Sequence, residues 1–297
     1  MTAIKRILCP VDFSEFSRHA LDSAVAIARQ QQATVTALYV VPPLQTTYPI
    51  VGVEPYVPYV YTLEDLAEFQ KTLERFVGAV EYPVAAVSLE GVVVHEILAH
   101  AGRLHADLIV MGTHGRSGFD RLVLGSVAER VLVKATAPVL TIPLRAADVA
   151  PTSDGLFSNM LCPIDFSPSS MAALKYAEGL ARQGATLRVL HVAERLPAWQ
   201  LIPAPTTGGP DDPVVALEPA RERVHTVLSA GLRRTHTVQE LVTEGDPGDE
   251  IVRAAAANHV DLIVMGAHAG RAGLLGFGST THDVLRAATC PVLTVKA

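Results

Sequence analysis

The chain has 297 residues, enough for two domains that each bury a core. It is 49% hydrophobic but only 18% charged and 5% aromatic, so its apolar content is chiefly Ala, Val, Leu and Ile, which suits buried parallel strands under Ala-rich helices. A formal net charge of -6 gives no general attraction for nucleic acid or anionic membrane, and the N-terminal apolar run is too short for a signal peptide. With no apolar run of membrane-spanning length, the expectation is a cytoplasmic protein. Cys9, Cys162 and Cys290 are odd in number and lack CxxC spacing, which points to small buried thiols near strand ends rather than a disulfide framework or a zinc cluster.

Ile4 to Val11 reads as a strand, and Ser14 to Gln31 carries Phe16, Ala20, Ala24, Ile27 and Ala28 at helical spacing with Ser14 as N-cap. Thr34 to Val41 is a β-branched second strand. Pro42 to Thr62 concentrates tyrosine and proline, which suits a partner surface, a lid or simply a mobile loop, and Glu194 to Asp212 is its Pro-rich counterpart. Leu63 to Val80 is amphipathic, Val84 to Glu90 a strand, and Val93 to His105 a helix. Leu108 to Gly112, Ser126 to Ala135 and Val139 to Pro143 follow as strand, helix and strand. Strand and helix in alternation with short links imply a doubly wound parallel sheet with right-handed crossovers.

The chain then repeats itself. Cys9 to Gln30 lies over Cys162 to Gln183 with 12 of 22 positions identical, DLIVMG occurs at Asp107 to Gly112 and at Asp261 to Gly266, and Gly125 to Thr141 lies over Gly278 to Thr294 with 10 of 17 identical. A period of about half the chain is a duplicated domain, not a solenoid. The expected division is 1–145, a linker over 146–158, and 159–297.

Between the fourth strand and fourth helix runs Gly112 to Ser126, GTHGRSGFDRLVLGS. A glycine loop that feeds a helix can converge backbone N–H groups on a phosphate, with glycine supplying positive φ and room for an oxygen to approach. Ser126 adds a hydroxyl that can cap the helix or touch the phosphate. Asp12 ends the first strand and is a candidate either for ligand binding or for capping the first helix.

VDFS at Val11 to Ser14, DLIVMG at Asp107 to Gly112, G-x2-G-x9-G-S at Gly112, Gly115, Gly125 and Ser126, and the closing PVLTI together resemble a universal stress protein, in two tandem copies spanning nearly the whole chain. The resemblance implies two Rossmann-like α/β domains, each a five-stranded parallel sheet of order 3-2-1-4-5, joined as a pseudo-dimer through their last strands. It implies ATP at the carboxyl ends of the strands, where an open sheet places ligands in general. Asp12 would bond the ribose and the Val40 backbone would meet adenine. Gly112, Gly115, Gly125 and Ser126 would hold the phosphates, with Met111 and His114 beside them. Mg²⁺ would ride on the phosphates without direct protein ligands. A homodimer, and a protein partner at residues 42–62, complete the expectation.

The second copy keeps Asp165, Val192, Gly266, Gly278 and Ser279, but its loop glycines are 12 apart against 13 in the first, and Ala269 replaces the middle glycine or displaces it to Gly270. The two sites are therefore expected to differ in affinity. Other chemistries fail on spacing. His95 and His100 form HExxxH, whose i,i+5 pair lies about 140° apart on a helix and cannot share a zinc, so these residues and His105 read as surface histidines. Gly115-Arg-Ser-Gly118 lacks nucleophile-elbow spacing and no Walker lysine follows either loop. Arg116 and Arg121 suit phosphate neutralisation or plain solvation. The function expected is stress-responsive ATP binding in a signalling or protective module; slow ATP hydrolysis and a nucleotide-free scaffold are the alternatives.

Overall fold

The computed structural model describes residues 4–43, 61–113, 124–143, 157–193, 213–228, 230–267 and 278–297. Its first half runs β1 (Arg6–Pro10), α1 (Glu15–Gln31), β2 (Thr34–Val41), α2 (Leu63–Val77), β3 (Val84–Glu90), α3 (Val93–Leu104), β4 (Leu108–Gly112), α4 (Ser126–Lys134) and β5 (Val139–Ile142). The second half runs β6 (Asn159–Pro163), α5 (Pro168–Leu180), β7 (Thr186–Ala193), α6 (Pro213–Val227), α7 (Ala230–Thr235), β8 (Thr237–Glu244), α8 (Pro247–Ala257), β9 (Leu262–Gly266), α9 (Ser279–Ala287) and β10 (Val292–Val295). The helix expected to reach Val80 stops at Val77, where Gly78 takes the C-cap and its amide bonds Glu74 O. The duplication is imperfect, because α6 and α7 stand where the first half has α2 alone. The Tyr/Pro segment over 44–60, the segment 194–212 and most of the linker lie outside the described residues.

The ten strands among the described residues form one sheet in the order β3-β2-β1-β4-β5-β10-β9-β6-β7-β8. Each half is parallel with the expected order 3-2-1-4-5, and β5 meets β10 antiparallel, Val139 opposite Thr294 and Thr141 opposite Val292. The seam explains why PVLT occurs twice. Thr141 and Thr294 are buried there, and each hydroxyl donates across the seam, Thr141 Oγ1 to Val292 O at 3.1 Å and Thr294 Oγ1 to Val139 O at 3.2 Å. Buried hydroxyls need such partners. A hydrophobic cluster on each face of the sheet, one built on α1, α2 and α5 and the other on α3, α4, α8 and α9, runs through both halves.

Two further links cross between the halves. Tyr176 of α5 donates its hydroxyl to Asp107 O at 2.7 Å. Lys296 Nζ donates to Val133 O at 2.6 Å and Ala135 O at 3.0 Å, so the last strand of the second half places a cation on the carbonyl end of α4, where the helix dipole favours one. The counterpart of Lys296 in the first half is Pro143, which has no such group.

The recurrent aspartates have folding roles. In DLIVMG, Asp107 Oδ2 accepts from the amides of Lys5 and Arg6, both at 2.9 Å, and so pins the start of β1 beside the start of β4. Asp261 Oδ2 does the same for Ser158 N at 2.7 Å and Asn159 N at 3.0 Å. In VDFS, Phe13 adopts φ 66°, and its twin Phe166 adopts φ 63°, a left-handed conformation that is strained for a residue with a Cβ. Asp12 Oδ1 holds that turn by accepting from Ser14 N at 3.1 Å and Ser14 Oγ at 2.5 Å, while Ser14 caps α1 by accepting from Ser17 N. The cap is thus Ser14, and Asp12 braces it. The Phe13 ring is set against Tyr39, centroids 4.4 Å apart.

Candidate functional site

The chain reverses strand order between β1 and β4, and a cavity of about 460 Å³ opens there at the carboxyl ends of β1, β2 and β4. Asp12, Val40, Met111, Gly112, Gly125 and Ser126, drawn from four separate stretches of sequence, all line it. His114, Gly115, Arg116 and Arg121 lie outside the described residues.

The strand geometry sets what Val40 offers. Val11 N donates to Leu38 O at 2.9 Å, the last rung between β1 and β2, and Val41 O on the other side accepts from Gly91 N. Val40, two residues beyond Leu38, directs its peptide groups the same way as Leu38 but past the end of β1, toward the cavity. Its side chain is buried.

The loop closes at its base. Gly125 N donates to Thr113 O at 2.8 Å, so the chain that leaves after Thr113 returns beside its point of departure. Gly125, not Ser126, is the N-cap of α4, and no side chain caps that end. Ser126, Val127 and Ala128 form the first turn at the cavity wall. Amides of a first turn have no partner inside their own helix, and the dipole there is positive, which together suit an anion.

Glycine at position 112 answers a packing need. Its φ is not positive, and a Cβ there would lie 2.8 Å from Phe16 Cβ and 3.1 Å from the Phe16 carbonyl, so the missing side chain is what lets α1 settle on β4. Gly266 is tighter still, at 2.5 Å from Ser170 N. Gly125 also has negative φ. The reasons expected from sequence, positive φ and approach of an oxygen, therefore give way to helix packing at Gly112, whereas at Gly278 a Cβ would meet nothing within 4 Å.

Residues not picked out from sequence complete the wall. Val93 and Ile97 of α3 face the cavity one turn apart beside Leu38, and Ser17 and Thr113, both buried, add hydroxyls. The signal available was the i,i+4 pair Val93 and Ile97 on an amphipathic helix, which also serves ordinary core packing. The α3 histidines stand elsewhere: His95 and His105 are exposed and His100 is half-buried, its pKa lowered by desolvation. Among the described residues no group of three His, Cys, Asp or Glu is placed to hold a metal. The three cysteines are buried and reduced, and burial pushes the Cys162 and Cys290 thiols up to about 12 and Cys9 higher, which suppresses thiolate chemistry.

The second half repeats the arrangement on a smaller scale. Asp165, Val192, Gly266, Gly278 and Ser279 line a cavity of about 260 Å³. Ile164 N to Leu190 O, at 2.8 Å, reproduces the last rung before Val192. Asp165 Oδ1 accepts from Ser167 N at 3.0 Å and Ser167 Oγ at 2.6 Å, bracing its turn as Asp12 does. Ala269 and Gly270 lie outside the described residues.

Comparison with known proteins agrees with the repeated fold. The family model described as the universal stress protein family matches residues 3–143 and again residues 156–296. A universal stress protein of Mycolicibacterium smegmatis is 26% identical over 305 residues, 98% of this chain and 96% of that protein. One from Methanocaldococcus jannaschii is 39% identical over 142 residues, 46% of this chain and 81% of its own length. The crystal structure of a universal stress protein from Archaeoglobus fulgidus superposes with a TM-score of 0.66 at 21% identity, covering 98% of this chain and 96% of that one, which establishes the shared fold. Among the described residues no helix is long and apolar enough to cross a membrane. With the family's domain matched twice along its length, the chain belongs to the universal stress protein family.

Proposed function

We propose that the protein binds ATP in the cavity of its first half and works as a stress-responsive nucleotide-binding module, signalling or protective in role. The observation that carries this reading is the convergence of three unlike surfaces on one cavity: the Asp12 carboxylate, the apolar wall of Leu38, Val93 and Ile97 beside the outward Val40 backbone, and the first turn of α4. These match ribose hydroxyls, a flat heterocycle and an anionic phosphate chain respectively. A volume of about 460 Å³ lies within the roughly 300–1,000 Å³ usual for small-ligand sites. Asp12 is the one carboxylate among the described lining residues, so in this reading Mg²⁺ arrives on the phosphates with water filling its other positions.

The remaining parts of the reading are a partner surface at residues 42–62 and association of two chains. Because β5 and β10 already pair within the chain, such a dimer would use other surfaces; among the described residues the edge strands of the sheet are β3 and β8.

Nucleotide released from the purified protein by acid precipitation, with affinity then measured by calorimetry, tests the proposal. Asp12→Asn keeps an oxygen for Ser14 but removes the charge, and a drop of about five- to tenfold in ATP affinity is expected, the difference between a charged and a neutral hydrogen bond. Unchanged affinity, or no binding in the wild type, refutes it.

A further inference from the structure

The mouths of the two cavities carry opposite charge, and the difference lies just outside the residues that line them. Beside the first cavity, α3 begins with Val92 at its N-cap, 63% exposed and making no side-chain cap. Beside the second, Asp246 takes that place and caps α8, accepting from Asp249 N at 3.1 Å. On the last helix of each half, Arg130 follows Ser126 by four residues, whereas Asp283 follows Ser279 by four. That spacing sets each side chain on the same helix face as its serine, with Cβ atoms about 5–6 Å apart. Ser126 lines the first cavity and Ser279 the second. A valine and an arginine at one mouth are thus exchanged for two carboxylates at the other.

The two carboxylates act together. A Cβ built on Gly248 would lie 3.3 Å from Asp246 Oδ1, 3.0 Å from Asp283 Cβ and 3.5 Å from Asp283 Oδ2. Both acids therefore flank Gly248, next to Pro247, which lines the cavity. Asp283 Oδ1 lies 3.5 Å from His282 Nδ1, and among the described residues neither acid pairs with a lysine or arginine. Folding accounts for Asp246, which caps a helix, but not for a second carboxylate set opposite it, since like charges at this range repel. The first half shows that arginine serves at the matching place. One turn into α9, the Asp283 charge opposes the attraction that the helix start would otherwise offer an anion.

We infer that Asp246 and Asp283 are specificity-determining residues that exclude polyphosphates from the second cavity, so that the chain takes up one ATP and not two. The discrimination is by charge and not by shape: a triphosphate would bring several negative charges past both carboxylates, an uncharged nucleoside none. The count of one rests on the nucleotide reading of the first cavity, whereas the exclusion itself belongs to the second.

The test is titration of ATP, and separately of adenosine, into the full-length ¹⁵N-labelled protein, followed by amide shifts. In the wild type, ATP is expected to move the Ser126 to Ala128 amides and to leave Ser279 to Thr281 in place. Asp246→Asn with Asp283→Asn keeps shape and the capping oxygen while removing both charges, and Asp246→Asn with Asp283→Arg also installs the residue of the first half. The Asn pair should strengthen the ATP response of Ser279 to Thr281 about tenfold and the Arg variant further, with the Ser126 to Ala128 response unchanged. Adenosine should act alike on wild type and variants. Should Asp283→Arg perturb the fold, the Asn pair alone decides. ATP moving both sets of amides at equal concentration in the wild type, variants that answer ATP as the wild type does, or ATP and adenosine responses that rise together overturns the inference. If ATP moves neither set in the wild type while the variants gain a response at Ser279 to Thr281, the reading of the first cavity fails and the exclusion stands.

Discussion

Replacing Gly112 by alanine separates a folding glycine from a ligand-binding one. The new Cβ would lie 2.8 Å from Phe16 Cβ and 3.1 Å from the carbonyl carbon and oxygen of Phe16. Two of these three atoms are backbone and the third is a Cβ, so no rotamer change relieves the contact and α1 must shift away from β4. Overpacking of this kind costs about 1–3 kcal/mol. At Gly266 the neighbours are Ser170 N at 2.5 Å, Ser169 C at 2.6 Å and Ser170 Cα at 2.9 Å, all main chain, so Gly266→Ala belongs at the upper end of that range. A loss of about 2 kcal/mol lowers the Tm of a chain of this size by roughly 4–8 °C. The assay is thermal and urea unfolding of nucleotide-free protein. Gly278→Ala is the control, since a Cβ there meets nothing within 4 Å, and it should stay within about 1 kcal/mol of wild type. Phe16→Ala should not rescue Gly112→Ala, because the clashing Cβ and carbonyl remain. If nucleotide-free Gly112→Ala unfolds like wild type while losing ATP affinity, the packing argument is wrong and the glycine serves the ligand.

Lys296→Met removes two hydrogen bonds from the carbonyl end of α4, and a loss of about 1–2 kcal/mol in urea unfolding is expected; a change below about 0.3 kcal/mol would make the contact incidental. Asp261 gives a pH signature. Burial raises its pKa in the fold against the donors that lower it, so the folded state holds the proton more tightly than the unfolded chain, and its contribution to stability is present below the unfolded value of about 3.9 and is lost as pH rises through the folded pKa. The stability of Asp261→Asn relative to wild type should therefore improve from pH 4 upward, and a flat or falling difference would contradict the assignment.

Much of this architecture was legible in the chain. Strand and helix alternation and the internal repeat give the doubly wound parallel class and the two domains, because hydrophobic period and repeat register are local signals, whereas the sheet order and the seam between the last strands follow only from the resemblance to the family. The convergence of Asp12 and Ser126 was legible through the motifs and the switch point of an open sheet, and that of Val40 only through the resemblance to the family. What stayed hidden depends on distant partners. Nothing near Gly112 announces that Phe16 occupies its Cβ position, and nothing in DLIVMG shows that its aspartate holds the amides of Lys5 and Arg6. Val93 and Ile97 carry the same pattern as any core helix, so their place on the cavity wall emerges only once α3 is packed.

The duplicate also changes how the motifs should be weighed. Several residues identical in both halves have a role in folding: Asp107 and Asp261 pin strands, Phe13 and Phe166 take the left-handed turn, Ser14 and Ser167 cap helices, Gly112 and Gly266 admit a helix, and Thr141 and Thr294 close the seam. Recurrence within the chain is therefore weak support for ligand binding at these positions. The informative positions are those where the halves part after sharing one core. Ala128 against Thr281 and Val127 against Thr280 change the chemistry at the start of the last helix, while Pro143 against Lys296 ties the second half to α4 without a matching tie in return. Since α4 begins at the first cavity and ends under Lys296, the asymmetry reaches both ends of the helix that the proposed nucleotide site depends on. The halves therefore differ in chemistry at the start of the last helix although they share one core, so positions of this kind, more than the shared motifs, are where any difference in ligand binding between the two cavities would originate.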